Sequence, residues 1–198
     1  MTKRKYQLKR RAERQEETRQ RILDATVALY EQVGVLGTTI SAVAEQAGVE
    51  RLTVYRHFPD ETALLTTMMT SYLEAHPFPD SETWRDIADP EARLRIGLTA
   101  AYTYHQQTEG LIGPLIQGLP YKPVICDTLE TYSAYWMHVQ RILAVGWDVS
   151  DPALIAAAVG HSLSFKTWHS LVRDLGLDNA QAIELMASMV QSCTKTSA

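Results

Sequence analysis

The sequence has few cysteines, no long apolar run and no secretory signal. Its two cysteines, Cys126 and Cys193, lie far apart and outside any CxxC or Cys/His pattern, so neither a disulfide framework nor a zinc site is predicted. No apolar stretch approaches the roughly 18 residues that a membrane-spanning helix needs, and no apolar segment follows the basic N-terminus. We therefore expect a cytoplasmic protein without a membrane partner.

The sequence also lacks the motifs of catalysis and of cofactor binding. It contains no HExxH, no GxSxG and no glycine-rich phosphate loop. His161 and His169 are eight residues apart, not at the spacing of four that places two zinc ligands on one helix face. We predict that the chain is not an enzyme and uses neither a cofactor nor a metal ion. With 198 residues and 45% hydrophobic content, it is nevertheless long and apolar enough to fill a core.

The most informative segment is residues 39–58, TISAVAEQAGVERLTVYRHF. It contains two short helical patterns around a three-residue turn. The first pattern has apolar residues at the spacing of one helix face, namely Ile40, Val43, Ala44 and Ala47. Gly48 can adopt the left-handed conformation that ends a helix, and Val49 can pack back between the two helices. Short helices joined by a tight, glycine-containing turn form a helix-turn-helix, whose second helix reads base edges of DNA.

The second pattern predicts a short recognition helix. Its buried side would consist of Leu52, Val54, Tyr55 and Phe58. Arg51 and Thr53 would reach base edges, because an arginine fork suits guanine, while hydroxyl and imidazole groups would contact phosphates. The predicted DNA contacts are Thr38, Thr39, Arg51, Leu52, Thr53, Tyr55, Arg56 and His57. A helical hairpin in a bundle core is the alternative, but the second helix is too short and too polar for that role.

Residues 18–65 resemble the N-terminal domain of the TetR/AcrR family of bacterial transcriptional regulators. The resemblance rests on the first amphipathic helix entered at Thr18, the Thr-Thr pair, the Ala-Gly-Val turn and the Val-Tyr-Arg-His-Phe run followed by Leu-Leu. It implies DNA binding by a dimer. Asp60 and Glu61 replace the lysine that many relatives carry near the start of the fourth helix, and both carboxylates suit a helix N-terminus.

Positive charge is concentrated at the N-terminal end. The chain has a net charge of −4, but residues 1–21 carry nine basic and three acidic residues, a net +6, which leaves −10 for the remainder. The basic residues are Lys3, Arg4, Lys5, Lys9, Arg10, Arg11, Arg14, Arg19 and Arg21. Two interpretations of this segment are open. It is either a flexible arm that contacts phosphates or an adjacent minor groove, or a solvated tail. The acidic remainder argues against a DNA-compacting protein, which should be basic throughout.

The sequence predicts helices along almost its whole length. The first is predicted to begin at Tyr6 and to include the basic arm. The later segments are a fourth helix at residues 61–75, a fifth from Pro90 to about residue 107, a short sixth at about 111–119, a seventh from Pro123, an eighth at 152–175 and a ninth at 179–193. Asp89, Asp151 and Asp178 are the expected caps. Pro77 and Pro79 end the fourth helix and mark a domain boundary.

We therefore predict an all-α fold of about nine helices, in which a three-helix helix-turn-helix domain is joined to a C-terminal helical bundle. By function, residues 1–60 would form the arm and DNA-binding domain, and residues 61–198 the ligand-binding and dimerisation domain. The eighth helix is apolar on most of its circumference and must be covered on two sides. A second copy would supply one cover, so that the last two helices form a homodimer interface; the alternative is the centre of a monomeric bundle.

The predicted dimer contacts are a small-residue strip and one side of the ninth helix: Ala153, Ala157, Gly160 and Ser164, with Ile183, Met186, Ala187 and Val190.

The C-terminal helices also carry aromatic and histidine side chains, which predict a pocket between helices five, seven and eight. The predicted ligand contacts are Tyr102, His105, Tyr132, Trp136, His161, Phe165 and Trp168. Each of them alone is equally consistent with a core position. Together the patterns predict a dimeric repressor that binds a palindromic operator on double-stranded DNA and responds to a small organic effector. The alternative is a DNA-binding dimer whose C-terminal domain only dimerises or binds a protein partner.

Overall fold

The computed structural model of the chain describes residues 3–121 and 124–194, with side chains from Tyr6 onward. All regular elements in these ranges are helical, which confirms the all-α prediction. The ten α-helices are α1 (Lys3–Gly37), α2 (Ile40–Gln46), α3 (Arg51–His57), α4 (Glu61–Ala75), α5 (Pro90–Gly118), α6 (Val124–Thr128), α7 (Glu130–Leu143), α8 (Pro152–Leu163), α9 (Phe165–His169) and α10 (Asn179–Ser192). A 3₁₀ turn lies at Glu82–Asp86, and a π-helical turn at Ser170–Asp174.

The chain divides into two compact units, whose described parts belong to residues 1–76 with 110–129 and to residues 77–109 with 130–198. The proline segment at 77–79 therefore begins the second unit. The division by function at residue 60 is a separate assignment and stays a prediction. In the described ranges, no helix has both the length and the apolarity that crossing a membrane would require.

The first unit consists of α1 to α4, the last part of α5 and α6. In α1, Ile22, Leu23, Leu29 and Tyr30 are buried, and they follow the spacing of one helix face. Helix α1 begins far upstream of Thr18, so the predicted entry at Thr18 is wrong, whereas the predicted helix from Tyr6 is confirmed. Gly34 adopts φ 68° and interrupts the helical geometry near the end of α1.

Local capping signals predicted several helix starts correctly. The Asp60 side chain accepts a hydrogen bond from Ala63 N at 2.8 Å and starts α4. Asp151 accepts from Ala153 N and starts α8, and Asp178 forms a capping box with Gln181 at the start of α10. These carboxylates satisfy amide groups that have no partner within their own helix.

Other helix boundaries differ from the prediction. The predicted fifth and sixth helices form one helix, α5, which continues through Pro114. Proline normally interrupts a helix because it lacks the amide, but here Leu111, Ile112 and Leu115 are fully buried, and this burial offsets the lost hydrogen bond. The predicted seventh helix is two helices, α6 and α7, and its predicted start at Pro123 lies outside the described residues.

The predicted eighth helix is broken at Ser164, which has an extended conformation (φ −64°, ψ 134°) between α8 and α9. The break leaves the carbonyl groups at the end of α8 without helical partners. Two side chains of α5 take their place: the Tyr102 hydroxyl donates to Ser162 O at 3.0 Å, and His105 Nε2 donates to Leu163 O at 2.9 Å. Both side chains are completely buried. The apolar pattern continues across the break, so the sequence did not indicate it.

His105 is held neutral by this environment. Burial lowers the pKa of His105 from 6.5 to about 4, although its hydrogen bond to Leu163 opposes the shift. The imidazole with its proton on Nε2 can accept from the Tyr132 hydroxyl, which lies 3.3 Å from Nδ1. His105 is therefore part of the core of the second unit in its neutral form.

We expect the protein to lose stability as the pH falls from 6.5 towards 4, because only the unfolded chain protonates His105 in this interval. The loss should reach about 1.4 kcal/mol for each unit of pKa difference. Urea unfolding at several pH values would measure it. His105→Phe should remove this component and lower stability at neutral pH by about 1–3 kcal/mol, because Leu163 O loses its donor.

The matched control is Tyr102→Phe, which removes the neighbouring donor to Ser162 O and no group that titrates between pH 4 and 6.5. This variant should follow the wild-type pH profile. Identical profiles for His105→Phe and the wild type would contradict the assignment.

Candidate nucleic-acid interface and aromatic cluster

Helices α2 and α3 have the geometry of a helix-turn-helix. The Thr39 side chain caps α2 by accepting from Ala42 N at 3.1 Å. Gly48 ends it with φ 64°, and Val49 N donates back to Ala44 O at 2.9 Å. This left-handed closure is the one predicted for Gly48. It turns the chain within four residues, so that α3 begins at Arg51.

Helix α3 is attached to the first unit by few side chains. Only Val54 is fully buried within it, and Phe58, which follows its last residue, is buried as well. The predicted burial of Leu52 and Tyr55 is wrong, because these side chains are 57% and 38% exposed. A helix of two turns covers its neighbours with one narrow edge, so the i, i+4 pair 54 and 58 is sufficient. Leu52 and Tyr55 therefore belong to the outward face.

The outward face of α3 contains a preformed pair. Arg51 Nη2 donates to the Tyr55 hydroxyl at 3.2 Å, and the Arg51 guanidinium lies 5.6 Å from the centre of the Tyr55 ring. Residues four apart meet on a helix surface, and a planar guanidinium stacks well on an aromatic ring. The pair restricts the directions in which the arginine fork can point. Arg56 is exposed beside it, and Thr53 and His57 are half-buried.

The two threonines before α2 have different environments. Thr39 is exposed, and because its oxygen accepts the capping hydrogen bond, its hydroxyl proton remains available as a donor. Thr38 is buried, and its hydroxyl donates to Gly34 O at 2.8 Å. This geometry gives Thr38 a role in connecting α1 and α2, and its phosphate contact stays a prediction.

Two arginines of α1 support the motif, a role that the sequence did not indicate. Arg21 Nη1 donates to Ala47 O in the turn at 3.2 Å. The Arg19 guanidinium lies 5.3 Å from the centre of the Phe58 ring. In the sequence both belong to the basic N-terminal run, and contacts between residues so far apart in the chain leave no local signal.

The second unit contains an aromatic cluster, which we define as Tyr102, His105, Tyr132, Trp136, Phe165 and Trp168. The centre is His105, whose ring lies 4.9 Å from that of Trp136, 5.5 Å from Phe165 and 5.9 Å from Trp168. The structure thus brings together six of the seven predicted ligand contacts. It leaves out His161, which is exposed on α8.

Most polar atoms of the cluster are already used inside the protein. Tyr102 and His105 bind the end of α8, as described above, and Trp168 Nε1 donates to Asn179 Oδ1 at 3.0 Å. Trp136 is bound less well: within the described residues its buried Nε1 has no acceptor in ordinary hydrogen-bond geometry, and only the Tyr132 hydroxyl lies close enough for a weak interaction. Burial raises the pKa of the Tyr102 and Tyr132 hydroxyls, so the cluster is uncharged at neutral pH.

Three aromatic residues at the edge of the cluster were not predicted from the sequence: Phe78, Tyr104 and Tyr135. Phe78 stacks on Tyr135 with ring centres 4.1 Å apart and contacts Trp136 edge-on at 6.5 Å. Tyr104 contacts Trp136 edge-on at 5.8 Å. Phe78 lies in the segment that we interpreted only as a helix breaker, and nothing in its local pattern indicates a partner on α7.

An open groove adjoins this edge of the cluster. Its volume is about 560 Å³. Its lining residues are Pro77, Pro79, Arg95, Ile96, Thr99, Ala100, Thr103, Tyr104 and Gln107. The groove follows one face of α5, and Tyr104 belongs both to its lining and to the edge of the cluster.

Comparisons with known proteins agree with the geometry of the first unit. The model of a family described as bacterial regulatory proteins, tetR family, matches residues 22–68. The transcriptional repressor KstR of Mycolicibacterium smegmatis is 28% identical over 118 residues, 60% of this chain and 51% of that protein. The transcriptional regulator AcrR of Shigella flexneri is 43% identical over 51 residues, 26% of this chain and 24% of that protein. The matched segments span about half of these relatives or less.

Solved structures extend the similarity in fold to most of the chain. NalD of Pseudomonas aeruginosa, a repressor of a multidrug efflux pump, has a TM-score of 0.67 at 20% identity and covers 93% of this chain and 100% of its own. A TetR transcription regulator from Haloarcula marismortui has a TM-score of 0.57 at 17% identity, with coverage of 90% and 97%. These relatives are named as regulators and not as enzymes. Residues 22–68, which contain the helix-turn-helix, belong to the tetR family of bacterial regulatory proteins, and the solved structures show a similar fold over most of the chain.

Proposed function

We propose that the chain is a transcriptional repressor, which binds a palindromic operator as a homodimer and changes its affinity for DNA when a small organic effector binds in the second unit. The observation that carries the DNA-binding part is the outward face of α3, where Arg51, Leu52, Tyr55 and Arg56 are exposed on a helix fixed by Val54 and Phe58. Such a face fits the major groove.

In this function the Arg51–Tyr55 pair reads a base. The stacked ring holds the arginine fork in a plane, which is the geometry needed for two hydrogen bonds to guanine. Thr53 lies on the same turn and would reach a neighbouring base edge. Thr39 and His57 lie at the margins of the motif and would contact phosphates, which fix position without reading sequence.

Arg51→Ala should weaken operator binding by about 1–3 kcal/mol and relax the preference at one position in each half-site. Titrations of operator DNA and of its single-base variants would measure both effects. Arg141→Ala is the matched control, because it removes an equally charged, exposed side chain from α7 of the second unit, and it should bind the operator as the wild type does.

Tyr55→Phe separates two roles of Tyr55. The variant keeps the ring beneath the guanidinium but loses the hydrogen bond to Arg51. A phosphate contact of the hydroxyl predicts equally weaker binding to all operator variants. A loss confined to the position read by Arg51 would contradict this role and show that Tyr55 acts by orienting Arg51.

The homodimer would form through exposed side chains of α8 and α10. The predicted contacts Ile183, Met186, Ala187 and Val190 are buried within their own unit, so that part of the prediction is wrong. Gly160 is half-buried beside Gln140, whose Nε2 would lie 2.7 Å from an added Cβ; its contact with a second copy stays a prediction. The exposed apolar residues of these two helices are Leu154, Leu185 and Met189. Ala153, Ala157 and His161 are also exposed on α8.

Replacing Leu185 and Met189 by arginine should convert the dimer to a monomer, because two buried charges without partners would face each other across the two-fold axis. Sedimentation velocity would measure the change, and affinity for the palindromic operator should fall with it. Met137→Arg is the control, since Met137 is 51% exposed on α7, close to the 50% of Met189. A dimer that survives the double substitution would refute this interface.

The effector site is best supported beside Trp136. Its Nε1 has only a weak interaction with the Tyr132 hydroxyl, so a ligand acceptor would satisfy this donor better, and the groove reaches the neighbouring Tyr104 ring. The uncharged aromatic surroundings suit a planar or amphipathic compound. Tyr132 and Phe165 remain proposed contacts. Tyr102 and His105 serve the core, so we expect their substitution to affect folding before ligand binding.

Ala100→Trp should fill the groove and abolish binding of such a compound, while operator affinity stays unchanged. The matched control is Ala134→Trp, an exposed alanine of α7. A thermal-shift screen of planar amphipathic compounds would find ligands, and the same variants would then be titrated. A ligand that weakens DNA binding must bind the free protein more tightly than the DNA complex by the same factor. If no compound alters DNA binding, the second unit serves dimerisation or a protein partner instead.

A further inference from the structure

The first third of α1 extends away from the packed part of its unit. Side chains of residues 6–17 are all exposed, whereas burial begins at Ile22. The segment is helical throughout, so it does not have the flexible-arm conformation considered from the sequence. Because helix geometry fixes the direction of each side chain, the charges of this segment occupy definite faces.

These faces differ in charge. Residues at i, i+3, i+4, i+7, i+11 and i+14 from Gln7 lie on one side, and we call them the basic stripe: Gln7, Arg10, Arg11, Arg14, Thr18 and Arg21. Glu13 and Glu16 lie on another side together with Lys9, and Glu17 lies at the margin of the basic stripe, three residues from Arg14 and four from Arg21. The basic residues are thus concentrated on one side of a segment whose composition is mixed.

The arginines of the basic stripe are available to an external partner. Within the ranges that the structure describes, Arg10, Arg11 and Arg14 form no ion pair, whereas Lys9 pairs with Glu13 at 3.7 Å. The Arg10 guanidinium lies over the Tyr6 ring, 5.9 Å from its centre, and all three arginines are exposed. Three guanidinium groups without a carboxylate partner among the described residues favour a polyanion.

The basic stripe ends next to the helix-turn-helix. Its last member, Arg21, donates to Ala47 O in the turn before α3 and to Thr18 Oγ1. From there the stripe continues for 14 residues along one helix, about 21 Å at 1.5 Å per residue. Duplex DNA rises 3.4 Å per base pair, so this length corresponds to about six base pairs.

We propose that the basic stripe is a second DNA-contacting surface, which binds phosphates of the same duplex beside those contacted by the helix-turn-helix and reads no bases. The inference rests on the proposed DNA-binding function. The occupant is a duplex because the stripe continues from the turn that presents α3, and because DNA is a regular polyanion. A membrane surface fits less well, since residues 6–17 include few apolar side chains and no apolar face.

The test compares single charge removals on the two sides of one helix. Arg11→Gln and Arg14→Gln remove a charge from the basic stripe, and Lys9→Gln removes one from the side that carries Glu13 and Glu16. Glutamine has nearly the helix propensity of lysine and arginine, and circular dichroism would check that helicity is retained. Each purified full-length variant is titrated with genomic fragments selected by the wild type, and with an unrelated duplex, over a range of salt concentrations.

For Arg11→Gln and Arg14→Gln, the slope of log K against log salt should become shallower by about 0.9 for each phosphate that the variant no longer neutralises. The relative preference for selected over unrelated DNA should not change. Ethylation interference should identify phosphates whose ethylation weakens DNA binding by the wild type but not by these variants. Lys9→Gln should keep the wild-type slope.

The outcomes distinguish the two proposals. If the wild type binds no DNA selectively, the proposed function fails. If it binds selectively and both arginine variants keep its slope, only the basic stripe proposal fails. An equal loss of slope for Lys9→Gln would also overturn it, because the effect would then follow net charge and not the face. If the arginine variants lose binding to phosphatidylserine vesicles but keep wild-type DNA binding, the stripe binds a membrane and not DNA.

Discussion

A helix of seven residues cannot hold its shape through its own hydrogen bonds, because nucleation costs more than two turns return. Everything attributed to α3 therefore depends on how its surroundings fix it. The closure at Gly48 sets where it starts, and Val54 and Phe58 attach one edge to the core. Arg19 packs over Phe58, and Arg21 binds the turn. With so narrow a buried edge, the rest of the helix surface remains available for recognition.

The second unit meets a similar constraint at Ser164. Breaking an apolar helix inside a bundle exposes carbonyl groups to a dry interior, where an unpaired polar group costs about 1–3 kcal/mol. The protein places Tyr102 and His105 at these carbonyls. Polar aromatic residues that resemble ligand contacts in the sequence are thus structural in part. Trp136 stands apart because, among the described residues, its buried donor has only a weak interaction with Tyr132, so the effector proposal rests on this donor together with the adjoining groove.

The sequence predicted those features that local chemistry determines. Caps such as Asp178 and the glycine turn at Gly48 depend on a few neighbouring atoms, so they could be predicted from the residue type and its spacing. The break at Ser164 could not, because the apolar period continues across it and the compensating donors come from α5. The exposure of Leu52 could not be predicted either. A two-turn helix is too short for its apolar pattern to define a buried face, so only the packing around the helix determines which side chains are buried.

The positive charge at the N-terminal end of the chain lies on a rigid helix, α1. One continuous helix carries the basic stripe, contributes Ile22 and Tyr30 to the core and contacts the turn through Arg21. A flexible arm would lose conformational entropy whenever it bound phosphates, whereas a preformed helix has already lost most of it in folding. The same rigidity removes adaptability, because the spacing of the guanidinium groups is fixed before DNA arrives. A rigid basic helix can therefore add affinity only where the path of the backbone matches it, and it makes the shape of the flanking duplex a determinant of binding without any contact to its bases.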